Sequence, residues 1–174
     1  MKNLLFLCGP NGIGKTTVGR KIVEMRPHTA YVDSDPCRLM NPFDLNDDTI
    51  PTIAKNISDM IGNYWDCPAV DTVIFTYGFH GRRKEVFERI LQNLSGREYH
   101  FLPFLLCCEE AENIKRMAAD QRDPARIARA IAQSRQAFDG VPYPTIDVTS
   151  CTVSQTAQII LEKAGLANTP EERP

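Results

Sequence analysis

The sequence predicts an α/β domain in which a parallel sheet is covered by helices on both faces. Three observations carry that prediction. Strand-like and helix-like stretches alternate along the chain. The first strand-like stretch, NLLFLC at residues 3–8, is apolar without alternation, as a strand buried on both faces is. A chain of 174 residues with 43% hydrophobic composition also holds enough apolar material for one core.

The elements follow in order. Residues 3–8 form a strand that runs into Gly9. Residues 16–25 carry Val18, Ile22 and Met25 at helical spacing, and residues 29–32 read as a short second strand. In residues 49–64, Ile50, Ile53, Ile57, Met60, Ile61 and Tyr64 fall on one helical face. Residues 71–77 are rich in β-branched and aromatic side chains and form a third strand. Residues 82–94 return to helix, with Val86, Phe87, Ile90, Leu91 and Leu94 on one face. Residues 99–108 make a fourth strand, interrupted by Pro103. Residues 110–119 and 124–138 are helical, and residues 145–148 make a fifth strand. Thr152 and Gln155 form a capping-box pattern that opens a last helix through Lys163, with Gly165 as its stop. A single domain is expected over residues 1–167, followed by a frayed polar tail at 168–174.

The composition excludes several functional classes. A net charge of −2 gives no bulk attraction to nucleic acid or to an acidic membrane, although arginines crowd between Arg116 and Arg135. No stretch approaches the roughly 20 apolar residues of a membrane span. The opening apolar run is too short for a signal-peptide core. Six cysteines and three histidines form no C-x-x-C pair and no zinc spacing. Reduced thiols and a cytoplasmic location are expected.

The most informative segment is GPNGIGKTT at residues 9–17. It matches G-x-x-x-x-G-K-[ST] with Gly9, Gly14, Lys15 and Thr16 in the defining places. An apolar strand precedes it and an amphipathic helix follows. Glycines let the backbone turn successive N–H groups toward phosphate oxygens, and the following helix presents its positive end to the same anion. Lys15 neutralises β- and γ-phosphates, and Thr16 offers its hydroxyl to Mg²⁺. Asn11, Gly12, Ile13 and Thr17 complete the expected nucleotide cradle.

With this loop, chain length and element order, the sequence resembles the P-loop kinases of small molecules, a group that includes shikimate, gluconate and adenylate kinases and antibiotic-modifying phosphotransferases. The resemblance implies a P-loop NTPase three-layer sandwich with a five-stranded parallel sheet in the order 2-3-1-4-5. It also implies a mobile lid near the fourth strand, over residues 116–128.

Four further regions are read beside that resemblance. Asp33 and Asp35 flank Ser34 after the second strand and point the same way if the chain stays extended. They are candidates to hold Mg²⁺ or to accept the proton of a substrate hydroxyl, and the resemblance favours Asp35 for the acceptor. A solvated Asp-Ser-Asp-Pro turn is the plainer account of the same residues. Arg38 is a candidate contact for a polar or anionic acceptor. The third strand ends in Thr76 and Tyr77 without the carboxylate that many P-loop proteins carry there. That departure weakens a motor or switch reading and moves the metal role to Asp33 or Asp35. Beyond it, His80 and Arg82 are candidate substrate contacts, with a helix-entry turn as the alternative.

In the lid, the resemblance implies that arginines fold over ATP, with Arg116 and Arg122 as the best matches. Arg126 and Arg129 are weaker candidates, and a solvated helical face paired to nearby acids is the alternative for them. Residues 147–150 are expected near the adenine base.

The expected activity is transfer of the γ-phosphate of ATP to a hydroxyl or phosphate group of a small molecule, with ATP and Mg²⁺ as cofactors, by a monomer or homodimer. Lys15, Asp35, Arg116 and Arg122 are the expected catalytic groups. Two other readings stand beside it: an ATP-dependent switch, ATPase or binding module without an acceptor, and a kinase directed at RNA or nucleotide sugars. Residues 36–64, with Met40, Phe43 and Trp65 as apolar walls, are expected to line the acceptor pocket, though core packing explains those three equally well.

Overall fold

A computed structural model describes residues 1–134 and 136–167. The chain runs β1 (Lys2–Cys8), α1 (Lys15–Met25), β2 (Thr29–Asp33), α2 (Thr49–Asp66), β3 (Thr72–Thr76), α3 (Arg83–Leu94) and β4 (Tyr99–Cys107). It continues through α4 (Glu110–Ala119), α5 (Pro124–Ser134), β5 (Thr145–Asp147) and α6 (Val153–Lys163), with single 3-10 turns at Pro36–Arg38 and Gln136–Phe138. The five strands pair in parallel in the order β2-β3-β1-β4-β5, as the resemblance implied. The expected tail at 168–174 lies outside the described residues.

The apolar character of β1 has a direct cause. Leu4, Phe6 and Cys8 enter one core and Leu5 and Leu7 enter the other, because successive side chains leave a strand on opposite faces. The first core takes the inward stripes of α2 and α3 and is built around Phe6, whose ring stacks on Phe87 at 4.5 Å. The second takes Val18 and Ile22 of α1 and Ala157, Ile160 and Leu161 of α6. Two helical layers thus enclose the sheet.

Three features go beyond the sequence reading, each for a tertiary reason. β4 pairs with β1 from Tyr99 to Leu105, with Pro103 opposite Phe6. Leu105 N–H donates to Pro144 on the β5 side, so the backbone of Pro103, two residues earlier, faces that same side. β5 reaches only Leu105–Cys107 there, so no ladder bond needs the missing N–H. α2 continues to Asp66 because Trp65 is buried, packs on Tyr99 at 4.8 Å and donates its indole N–H to the Asn3 carbonyl. α5 stops at Ser134, and the 3-10 turn after it buries Phe138 against Phe79 at 5.4 Å. The capping box opens α6 as read, with Thr152 accepting from Gln155 N–H and Gln155 accepting from Thr152 N–H.

Candidate active site

At the carboxyl ends of the strands a cavity of about 980 Å³ is lined by the β1–α1 loop, the β2 and β3 ends, α4, the start of α5 and the β5–α6 turn. Asn11, Gly12, Ile13, Gly14, Lys15, Thr16 and Thr17 all line it; Gly9 does not, but its carbonyl holds the lysine. The loop shape rests on two glycines. Gly14 caps α1 with φ +97, and a Cβ there would meet nothing within 4 Å. Gly12 has φ +79, and its Cβ would fall 2.2 Å from Met117 Cγ, so α4 presses directly on the loop. Asn113, fully buried on α4, fixes that contact by donating from Nδ2 to the Asn11 carbonyl at 3.0 Å.

Lys15 Nζ donates to the carbonyls of Gly9 and Pro10, both at 2.8 Å. Burial lowers its pKa to about 8, with Arg83 and Arg122 adding to the effect. At that value the amine is still mostly charged near neutrality. His80 stands nearby with Nδ1 buried and without a hydrogen bond among the described residues. Burial and the cations Arg83, Lys15 and Arg38 push its pKa down to about 4, so the imidazole is neutral.

Asp33 and Asp35 both line the cavity, but not by the extended geometry read from the sequence. The chain turns after Asp33, whose Oδ1 accepts the Asp35 N–H at 3.0 Å, and Asp35 itself is in the α-helical region. Asp35 then pairs with Arg38. Asp33 lies in register with Thr76 on β3, so the carboxylate missing from the β3 end stands one strand away. A hydroxyl and one or two carboxylates suit a small hard cation that keeps its other ligands from phosphates and water. They do not build a cage alone: no group of three or more metal-binding side chains occurs among the described residues.

Some expected contacts lie elsewhere. Arg82 points away from the cavity and pairs with Asp47 and Glu85 at 2.6 and 2.7 Å. Arg83 lines the cavity in its place, because it lies three and four residues before Val86 and Phe87 on the inward stripe of α3. Arg116 does line the cavity, yet its guanidinium is anchored at the β5 end, donating to Val148 O at 2.7 Å and Thr149 O at 3.3 Å. Val148, Cys151 and Thr152 line that same end. Arg122 lines the cavity while paired with Asp120 at 3.0 Å, and Arg126 and Arg129 line it as well. Trp65 belongs to the core, Phe43 is exposed beneath Arg38, and neither Met40 nor α2 reaches the cavity. Asn113 and Met117 carry no motif, and the sequence reading did not single them out.

The chain shares its fold with solved structures that include a gluconokinase and a shikimate kinase. It superposes on a tunicamycin resistance protein from Deinococcus radiodurans with a TM-score of 0.71 and 18% identity, covering 98% of this chain and 99% of that one. A gluconokinase from Sinorhizobium meliloti gives 0.62 and 17%, covering 95% and 93%. A shikimate kinase from Acinetobacter baumannii, in complex with shikimate, gives 0.60 and 18%, covering 94% and 93%. No protein-family model and no curated protein sequence matches the chain. At these identities the likeness shows the fold alone. No helix among the described residues is long and apolar enough to cross a membrane.

Proposed function

We propose that this protein is an ATP-dependent phosphotransferase that moves the γ-phosphoryl group to a hydroxyl or phosphate of a small molecule. The observation that carries the reading is the reach of the cavity. It runs from the β5–α6 turn, past the phosphate loop, to Asp35, Arg38, His80 and Arg83. A nucleotide seated on the loop would leave room beside those side chains for an acceptor, which a simple switch does not need.

Bound ATP supplies the phosphoryl group and Mg²⁺ screens the charge on its phosphates. The chain's own residues do the rest. Loop amides and Lys15 bind the phosphates, and Thr16 with Asp33 or Asp35 faces the metal. Asp35 receives the proton of the acceptor hydroxyl, while Arg38, Arg83 and His80 orient the acceptor. Arg122, within a lid at 116–128, closes over the transferring group and excludes water, which limits wasteful hydrolysis. Arg116 stays with the base at the β5 end. The six free thiols support a reducing, cytoplasmic setting.

The test is an ATP-consumption screen across hydroxyl-bearing metabolites, nucleosides and aminoglycoside-type antibiotics. At least one acceptor is expected to raise turnover above bare hydrolysis. Uniform slow hydrolysis, joined to ATP-dependent capture of a protein partner, would favour the switch reading instead. Lys15→Ala is expected to abolish the acceptor-dependent signal, and retained activity would mean that the loop is not where ATP reacts.

A further inference from the structure

Behind the loop, three hydroxyls meet. Tyr31 on β2 hydrogen-bonds Thr76 Oγ1 at 2.8 Å, and the Thr16 hydroxyl is close enough to act on the same phenol. Its ring is wedged against α1 at Gly19, where a Cβ would come within 2.7 Å of Tyr31 Cε2 and 3.2 Å of Thr76 Cγ2. Tyr31 and Asp33 are two residues apart on one strand and share a sheet face, and Asp33 is in register with Thr76. Thr16, Asp33 and Thr76 all line the cavity.

A hydroxyl oxygen that ligates a cation must present a lone pair and send its proton elsewhere. Resting on the phosphotransfer reading, we infer that Tyr31 and Thr76 are positioning residues that set the direction of the Thr16 proton. Thr16 O–H donates to Tyr31 Oη, and Tyr31 O–H donates to Thr76 Oγ1. The lone pairs of Thr16 and the free oxygen of Asp33 then face the divalent cation that accompanies the nucleotide. The end of β3 thus contributes through a hydrogen-bond chain, where a carboxylate would contribute by ligation.

The experiment is calorimetric titration of ATP into the intact protein, with and without Mg²⁺, for wild type, Tyr31→Phe, Thr76→Val and Thr76→Ser. Tyr31→Phe is expected to leave metal-free ATP affinity unchanged and to raise the Mg²⁺ concentration for half-maximal enhancement about tenfold, the lower end of what losing an outer-sphere partner costs. Thr76→Val should move it in the same direction, and Thr76→Ser should restore it. An unchanged Mg²⁺ requirement in both Tyr31→Phe and Thr76→Val overturns the inference. So does an equal loss of affinity with and without metal, which would mark the hydroxyls as packing. Failure of the wild type to bind ATP at all would instead overturn the phosphotransfer reading beneath it.

Discussion

Lys15 is a buried cation whose proton is held less tightly than usual. Its pKa of about 8 in the free protein, against 10.5 ordinarily, means that bound polyphosphate returns a proton to it. ATP binding is therefore expected to take up a proton, and affinity should fall as pH rises above about 8. Calorimetry in buffers of differing ionisation enthalpy reads the uptake directly, and a pH-independent affinity between neutrality and the ordinary lysine range would contradict it. The same shift has a consequence for stability. Between about 8 and 10.5 the unfolded chain binds more protons at this position than the folded one, so the free protein gains stability as pH rises. The neighbouring Cys8 thiol, raised by burial from 9.0 to about 12, works the other way from pH 9.0 upward. The Lys15 gain is thus read most cleanly between about 8 and 9.0. The identity of Lys15 was legible in the motif; its lowered pKa was not, because that depends on where Arg83 and Arg122 fold. Arg82 and Arg83 make the same point. Both are arginines at a helix start, and only the phase of α3 selects the one that faces inward.

Among elements, α4 governs the loop most directly. Gly12→Ala is expected to cost on the order of 2–5 kcal/mol, from a positive φ and from overpacking on Met117. In a Met117→Ala background the same change should cost only the backbone share, about 1–2 kcal/mol. Denaturant titration of the four variants measures the coupling, and strict additivity would mean that α4 yields freely. Thr152→Ala removes one half of the capping box and should cost α6 about 1 kcal/mol in the same measurement; no change in the unfolding midpoint would count against the cap. The capping box, the inward stripes of α2 and α3 and the burial of β1 were all readable, because each is a local pattern. The pairing of β4 through Pro103 was not, since it depends on how far β5 extends along the neighbouring edge. The turn of the chain at Asp35 was likewise hidden, because an Asp-Ser-Asp-Pro segment fits either an extended or a turned backbone. The contact of Asn113 with Asn11 joins residues far apart in sequence, and no periodicity encodes it.

At the scale of the molecule, charge is distributed unevenly. The chain carries a net charge of −2, yet Lys15, Arg38, Arg83, Arg116 and Arg122 converge on one cavity. Filling it with a polyanion is expected to stabilise the whole fold. At a free MgATP concentration of ~100 Kd the gain should be about 2.7 kcal/mol, read as a rise in Tm. Lys15→Ala should lose most of that rise, and an equal rise in the variant would locate ATP elsewhere.

Pro103 carries a consequence of a different kind. Past the short β5, the first half of β4 has no strand partner on that side among the described residues. An unpaired sheet margin of this sort invites a strand from another molecule, the first step toward intermolecular aggregation. Proline offers no N–H to such an intruder. The residue that made β4 hard to recognise in the sequence is thus a guard on the margin that a short neighbouring strand leaves bare.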